Sequence, residues 1–132
     1  MKKYVLSLLI IGFVLSACSA KNQDASAALL GSWKLNSYDS VPAVTHASAE
    51  LTFNDNGTIT GNSGCNGFGG KYKVAGDQVT FSEVDSTLMA CDEPHMSQEG
   101  AVHQVLNNAA TFKIEGNRLT LTNHGNVLVL NR

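Results

Sequence analysis

The chain has 132 residues, enough for one small domain with one core and not for two. Its 9 Lys and Arg are outweighed by 11 Asp and Glu, for a formal charge of −2 at pH 7. With no basic stripe to displace phosphate counterions, the balance argues against a nucleic-acid partner, and none is expected.

At the start, Lys2 and Lys3 precede an apolar stretch from Tyr4 to Leu15, and small residues follow at Ser16 and Ala17, the three-part layout of an export signal. The stretch is about 12 residues, short of the ~20 that cross a hydrocarbon core. Leu15-Ser16-Ala17-Cys18 matches the lipobox of bacterial lipoprotein precursors. The match implies a signal peptide over 1–17, cleavage between Ala17 and Cys18, and a diacylglyceryl group on the Cys18 thiol. Two or more acyl chains hold stably, because each buried CH₂ contributes roughly 0.8 kcal/mol. The alternative is simple secretion with cleavage after Ala20 and Cys18 an ordinary residue. Removing the first 17 of 132 residues leaves 115, with seven Lys and Arg against eleven Asp and Glu, near −4.

Residues 18–28 are small and polar, with Lys21, Asn22, Gln23 and Asp24, and are read as a lipid anchor and flexible tether because they bury too little apolar surface to fold. The tether holds the domain over 29–132 within about 30 Å of the membrane at full extension. The expected location is the cell envelope: the outer membrane, periplasmic side, if two membranes are present, since Ser19 follows Cys18, and otherwise the outer face of the cytoplasmic membrane.

From Leu29 onward the dominant period is two. Trp33 and Leu35, Leu51 and Phe53, Tyr72 and Val74, Val79 and Phe81, Phe112 and Ile114, and Leu119 and Leu121 alternate with polar residues, as half-buried antiparallel strands require. Asn54 to Gly57, Ala75 to Asp77, Glu115 to Asn117 and Asn123 to Asn126 supply the turn residues between them. Val127 to Leu130 reads as a closing strand buried on both faces. Between Glu93 and Ala109 the rhythm changes: Val102, Val105, Leu106 and Ala109 fall at i, i+3, i+4 and i+7, a helical stripe. Pro94 suits the first turn, and Gly100 weakens the interior by about 1 kcal/mol, so that the helix effectively starts near Ser97. The expected architecture is mainly β (α+β): a curved antiparallel sheet of seven or eight strands, or a partly open small β-barrel, with one helix packed on it.

With Cys18 given to lipid, Cys65 and Cys91 remain. Export places them in an oxidising compartment, where a disulfide is the default and stabilises by about 3 to 4 kcal/mol. Two buried free thiols or two metal-binding thiolates are the alternatives.

Gly64-Cys65-Asn66-Gly67-Phe68-Gly69-Gly70-Lys71-Tyr72 and Ser86-Thr87-Leu88-Met89-Ala90-Cys91 together resemble the two signatures of the META domain family, the HslJ-like heat-shock lipoproteins. Gly64, Cys65, Asn66, Phe68, Gly70 and Tyr72 match the first, and Thr87, Met89, Ala90 and Cys91 the second. The likeness extends to the opening Leu30 to Leu35. It implies a barrel-like β domain with one helix, similar in shape to the pilot lipoproteins of secretion systems, together with an envelope location and a link to stress response or surface functions. It supplies no catalytic residue. On physical grounds, Gly64, Gly67, Gly69 and Gly70 point to a sharp turn or a close backbone approach, and Asn66 to an Asx-turn. The motif is read as a structural clasp first and a ligand-contacting loop second.

Other constellations fail on chemistry. Gly61 to Cys65 lacks the final Gly of a nucleophile elbow, and Gly70-Lys71-Tyr72 lacks the hydroxyl residue of a phosphate loop. Cys91, Asp92, Glu93, His95 and His103 are suitable metal ligands, but His95 and His103 lie two helical turns apart and a disulfide would remove Cys91. No metal, cofactor or catalytic residue is expected. His46 and His124 read as exposed loop residues. Gly31-x-Trp33 invites a lipocalin reading, for which the chain looks too short. The resulting expectation is a non-enzymatic, lipid-anchored binding or accessory module with an envelope protein partner. The alternative is a small inhibitor of the lysozyme-inhibitor kind, inserting the loop Val41 to His46, or a small-ligand carrier.

Overall fold

The computed structural model describes residues 17–45 and 48–132, with side chains from Gln23 onward. The export signal up to Ser16, the Cys18 side chain and His46 therefore lie outside the described residues.

Alternating sequences become strands β1 (Gly31–Tyr38), β2 (Val41–Pro42), β3 (Glu50–Phe53), β4 (Thr58–Asn62), β5 (Gly67–Ala75), β6 (Gln78–Ser86), β7 (Ala109–Glu115), β8 (Arg118–Asn123) and β9 (Asn126–Asn131). From β3 each pairs antiparallel with the next, β3 pairs with β1, and β1 pairs with β9 from Lys34↔Asn131 to Tyr38↔Leu128, so eight strands close into a barrel. The short β2 pairs with the far end of β1. Two hairpins turn on paired positive φ values, Asp39-Ser40 at 43° and 68° and His124-Gly125 at 47° and 90°, the geometry that matches strand twist in two-residue connections. His124 is exposed.

Inward positions fill the barrel. Trp33, Leu35, Leu51, Phe53, Ile59, Tyr72, Val79, Phe81, Leu119 and Leu121 are buried in one cluster. Phe112 and Ile114 pack against it half-buried. Val127 to Leu130 departs from the two-sided expectation: Leu128 and Leu130 are fully buried, while Val127 and Val129 are only partly so, because a barrel strand has a single core-facing side. The chain length that seemed to rule out a lipocalin-type barrel is sufficient for eight strands, since none exceeds nine residues.

Two helices accompany the barrel where one was expected. α1 (Ala17–Leu29) occupies the segment read as a tether. Its alanines favour helix, and at 1.5 Å per residue its 13 residues span about 20 Å rather than 30 Å. It is fastened at its end: Trp33 Nε1 donates to Leu29 O at 2.7 Å, and Leu29 is fully buried. Arg132, 4.2 Å above the Trp33 ring, donates to the carbonyls of Ala28 and Leu30.

α2 (Glu93–Val105) connects β6 to β7 and adds Val102 and Val105, followed by Leu106, to the core. It begins at Glu93 rather than near Ser97, with Pro94 in the first turn. It stops before Ala109, which is an exposed β7 residue, because Asn108 takes φ 78°. The buried Asn123 amide from β8 donates to Gln104 O and Asn107 O at 3.0 and 2.8 Å, satisfying carbonyls that a helix C-terminus leaves open.

Candidate functional site

Between β4 and β5 the chain turns through Ser63 to Asn66. Ser63 N–H donates to Asn66 O at 2.9 Å, and Gly64, at φ 106°, donates its N–H to Asn62 Oδ1 at 2.6 Å. A residue with a Cβ rarely adopts that φ. The turn aims Cys65 at the segment after β6, where it bonds to Cys91 with the Cα atoms 6.0 Å apart.

Asn66 is 1 % exposed, and its side chain bonds across the structure rather than forming the local Asx-turn expected. Its Oδ1 accepts from Thr87 Oγ1 at 2.8 Å and Met89 N–H at 2.7 Å. Its Nδ2 donates to Met89 O and to both carboxylate oxygens of Glu99 at 3.0 Å. Glu99 also accepts from Ser63 Oγ at 2.9 Å and Asn66 N–H at 3.1 Å. None of the ion pairs among the described residues includes it. A buried carboxylate without a cation must be held by hydrogen bonds, and here every donor comes from the Ser63 to Asn66 turn. The fully buried Gln98 extends the network, donating to Ser63 O and accepting from Val44 N–H, both at 2.7 Å. The chain after β2 is thereby tied to α2 at Val44.

What this framework supports is the segment from Thr87 to Cys91. Its backbone is held at Thr87 (N–H to Gly67 O, 3.0 Å), at both polar groups of Met89, and at the disulfide. Two of its side chains face water: Leu88 is 94 % exposed and Met89 58 %. Exposed acidic residues flank it at Asp85, Asp92 and Glu93. The polar groups beneath the loop are committed to one another and the sulfurs to a bridge, so the arrangement holds a shape.

The sequence motifs named Cys65, Asn66, Thr87, Met89 and Cys91 but joined only the two cysteines; the structure bonds Cys65 to Cys91 and also brings Asn66 onto Thr87 and Met89. The motifs missed Ser63, Gln98 and Glu99. The signal was available: extended back from Val102 and Val105, the helical stripe meets Gln98 and Glu99, polar residues on the buried face. Of the four glycines singled out, Gly64 needs its positive φ, and a Cβ on Gly70 would meet Val84 Cγ2 at 2.8 Å; Gly67 and Gly69 have room, with the nearest atoms at 3.7 and 3.9 Å. Gly61 was overlooked, and there a Cβ would collide with Glu50 O and the Phe68 ring. Tyr72 lies in the barrel, edge-on to Phe53 at 5.0 Å, with its hydroxyl donating to Asn54 O at 2.8 Å. Burial raises its pKa above the ordinary 10.0, opposed by a side-chain hydrogen bond with Ser26 and reinforced by the charge of Asp55.

The residues considered as metal ligands go elsewhere. Cys91 is bridged, Asp92 pairs with His95, Glu93 accepts from Ser97 Oγ at 3.0 Å, and His103 packs edge-on to Phe68. Among the described residues no three His, Cys, Asp or Glu side chains are grouped to hold an ion.

A family model, described as META domain, matches residues 27–132. No curated protein matches the chain. Solved structures share the fold at low identity. One determined by NMR has 23% identity over 78% of this chain and 89% of its own, with a TM-score of 0.68. An NMR structure from Burkholderia xenovorans has 23% identity over 100% and 98%, at 0.66. A lipocalin-like protein from Bacteroides uniformis has 16% identity over 79% and 97%, at 0.50.

Proposed function

Because the chain belongs to the META domain family, we propose that it is a non-enzymatic binding module, held to a membrane by lipid on Cys18, that contacts an envelope protein through the braced loop Thr87 to Cys91. The observation that carries this reading is the pairing of a committed framework with an apolar tip. Leu88 and Met89 gain nothing by exposure, yet Asn66 and the disulfide hold the loop out rather than letting it fold back. A rigid loop loses little entropy on binding, which favours affinity. A role in envelope stress response or envelope integrity fits such a module.

The barrel is a scaffold here, because its interior is filled by side chains as large as Trp33, Phe53 and Phe81. The runner-up, a small inhibitor acting by loop insertion, has Val41 in its favour, 47 % exposed at the β1–β2 hairpin. Inhibition of lysozyme by the purified domain, abolished by Val41→Asp, would favour it.

The main reading is tested in intact cells with a photo-crosslinking residue at Leu88 or, as control, at the exposed Lys113. It expects a discrete cross-linked protein from position 88 only, and loss of membrane fractionation and of that product in Cys18→Ser. Equal labelling from both positions, or a Cys18→Ser protein that stays on membranes, would overturn it.

A further inference from the structure

Every strand pairing in the barrel is antiparallel, so successive connections fall at alternate ends. α1 enters at one end, which also carries the β3–β4, β5–β6 and β7–β8 turns and the C-terminal Arg132. It is fixed there by Leu29 against Trp33 and by a side-chain hydrogen bond between Ser26 and Tyr72. The turn Ser63 to Asn66, the loop Thr87 to Cys91, α2 and the β8–β9 turn lie at the other end. Strands of up to nine residues, tilted by roughly 40°, put about 20 Å between the two.

Charge divides along the same axis. No Lys or Arg occurs from Leu35 to Gly70, from Val74 to Phe112 or from Leu119 to Asn131, and every connection at the loop end lies within one of these stretches. Exposed carboxylates do occur there, at Asp39, Asp85, Asp92 and Glu93. Asp39 accepts from Val127 N–H and Glu93 from Ser97 Oγ, bonds that leave the charge in place. Of the four, only Asp92 has an ion-pair partner among the described residues, the imidazole of His95. Toward the α1 end the signs are mixed, with Lys73, Arg118 and Arg132 exposed as well as Asp55 and Asp77.

We infer that the loop end docks onto a basic protein surface outside the bilayer, with Leu88 and Met89 entering an apolar site rimmed by Lys or Arg, a step that rests on the loop-contact reading and adds the chemistry of the partner.

Charge complementarity selects this occupant. Asp85, Asp92 and Glu93 flank the apolar tip, Asp39 lies at the same end, and no cation stands among them to repel a basic surface. Such an arrangement steers basic partners toward the tip and fixes their register. A second copy docked by the same end would bring these carboxylates against one another. Anionic lipid is repelled in the same way, and the anchor is expected elsewhere: Cys18 lies in α1, whose 13 residues span about 20 Å from their attachment at the opposite end of the barrel.

The probe is the lipidated full chain with a photo-crosslinking residue at Leu88, irradiated in isolated membranes at about 50 and about 500 mM NaCl, between which the screening length shortens roughly threefold. The yield of the discrete product is expected to fall about tenfold at the higher salt and about tenfold in Asp85→Lys/Glu93→Lys, and to stay unchanged in Asp55→Lys/Asp77→Lys at the α1 end. The partner peptide joined to position 88 is expected to lie among Lys or Arg residues. The salt comparison leaves the carboxylates unaltered, so a charge variant that folds poorly does not decide the outcome. A discrete protein product indifferent to salt, or a fall as large in Asp55→Lys/Asp77→Lys as in Asp85→Lys/Glu93→Lys, would overturn the basic partner and leave the loop as a contact. No discrete product from position 88, or one with lipid or a second copy, would overturn both.

Discussion

Asn66 connects the clasp to the loop it supports. One buried amide serves Thr87, both backbone groups of Met89 and the Glu99 carboxylate. Asn66→Ala leaves Glu99 short of a donor in a buried site, and the expected cost is about 3 kcal/mol in urea unfolding. The Cys-Asn pairing was legible as a motif, but Asn66's partners were not, because an Asx-turn is a local pattern and these bonds span 21 to 33 residues. Tyr72 yields a pH test. Its folded pKa is raised above 10.0, chiefly by burial, so its stabilising contribution is complete below about pH 10 and is lost as pH rises through the folded value. Tyr72→Phe should cost about 1 kcal/mol at neutral pH through the lost bond to Asn54 O, and its stability should fall less than wild type as pH rises above about 10. An identical alkaline fall in both proteins would remove the buried phenol as a cause.

Among the elements, α2 has a glycine that its packing does not require. Gly100→Ala should raise the thermal midpoint, with a gain of up to about 1 kcal/mol, since the added methyl meets open space. The helix was legible from Val102, Val105 and Leu106, but its end was not. Apolar spacing carried the reading on to Ala109, whereas Asn108 at positive φ and the Asn123 amide on the terminal carbonyls stop it earlier. The α1 segment was misread for a different reason: composition shows that it cannot form its own core, yet Ala-rich chain next to the buried Leu29 can still take helical form. The disulfide fastens the turn before β5 to the approach to α2 across 26 residues. Reduction should cost about 3.5 kcal/mol by the chain-entropy relation and raise the intact mass by about 2 Da. An unchanged denaturation midpoint would show that the hydrogen bonds of Asn66 alone hold the loop.

At the scale of the molecule, the barrel is closed by β1 against β9, and Trp33 on β1 donates to Leu29 O and lies under the Arg132 guanidinium. Period-two alternation revealed the strands, but closure was not legible, because no local pattern tells a curved sheet from a sealed barrel; the first and last strands had to be seen paired. The same ring of strands sets two features on the outside, the loop with Leu88 at its tip and the end without Lys or Arg from which it projects. Binding through the first requires that it be rigid as well as exposed. Backbone ¹⁵N relaxation at Leu88 and Met89 measures this directly. The expected result is order parameters near 0.85, as in the strands, falling below about 0.6 in Asn66→Ala with the disulfide reduced; values below about 0.6 in the oxidised wild-type protein would contradict a loop held in place for binding.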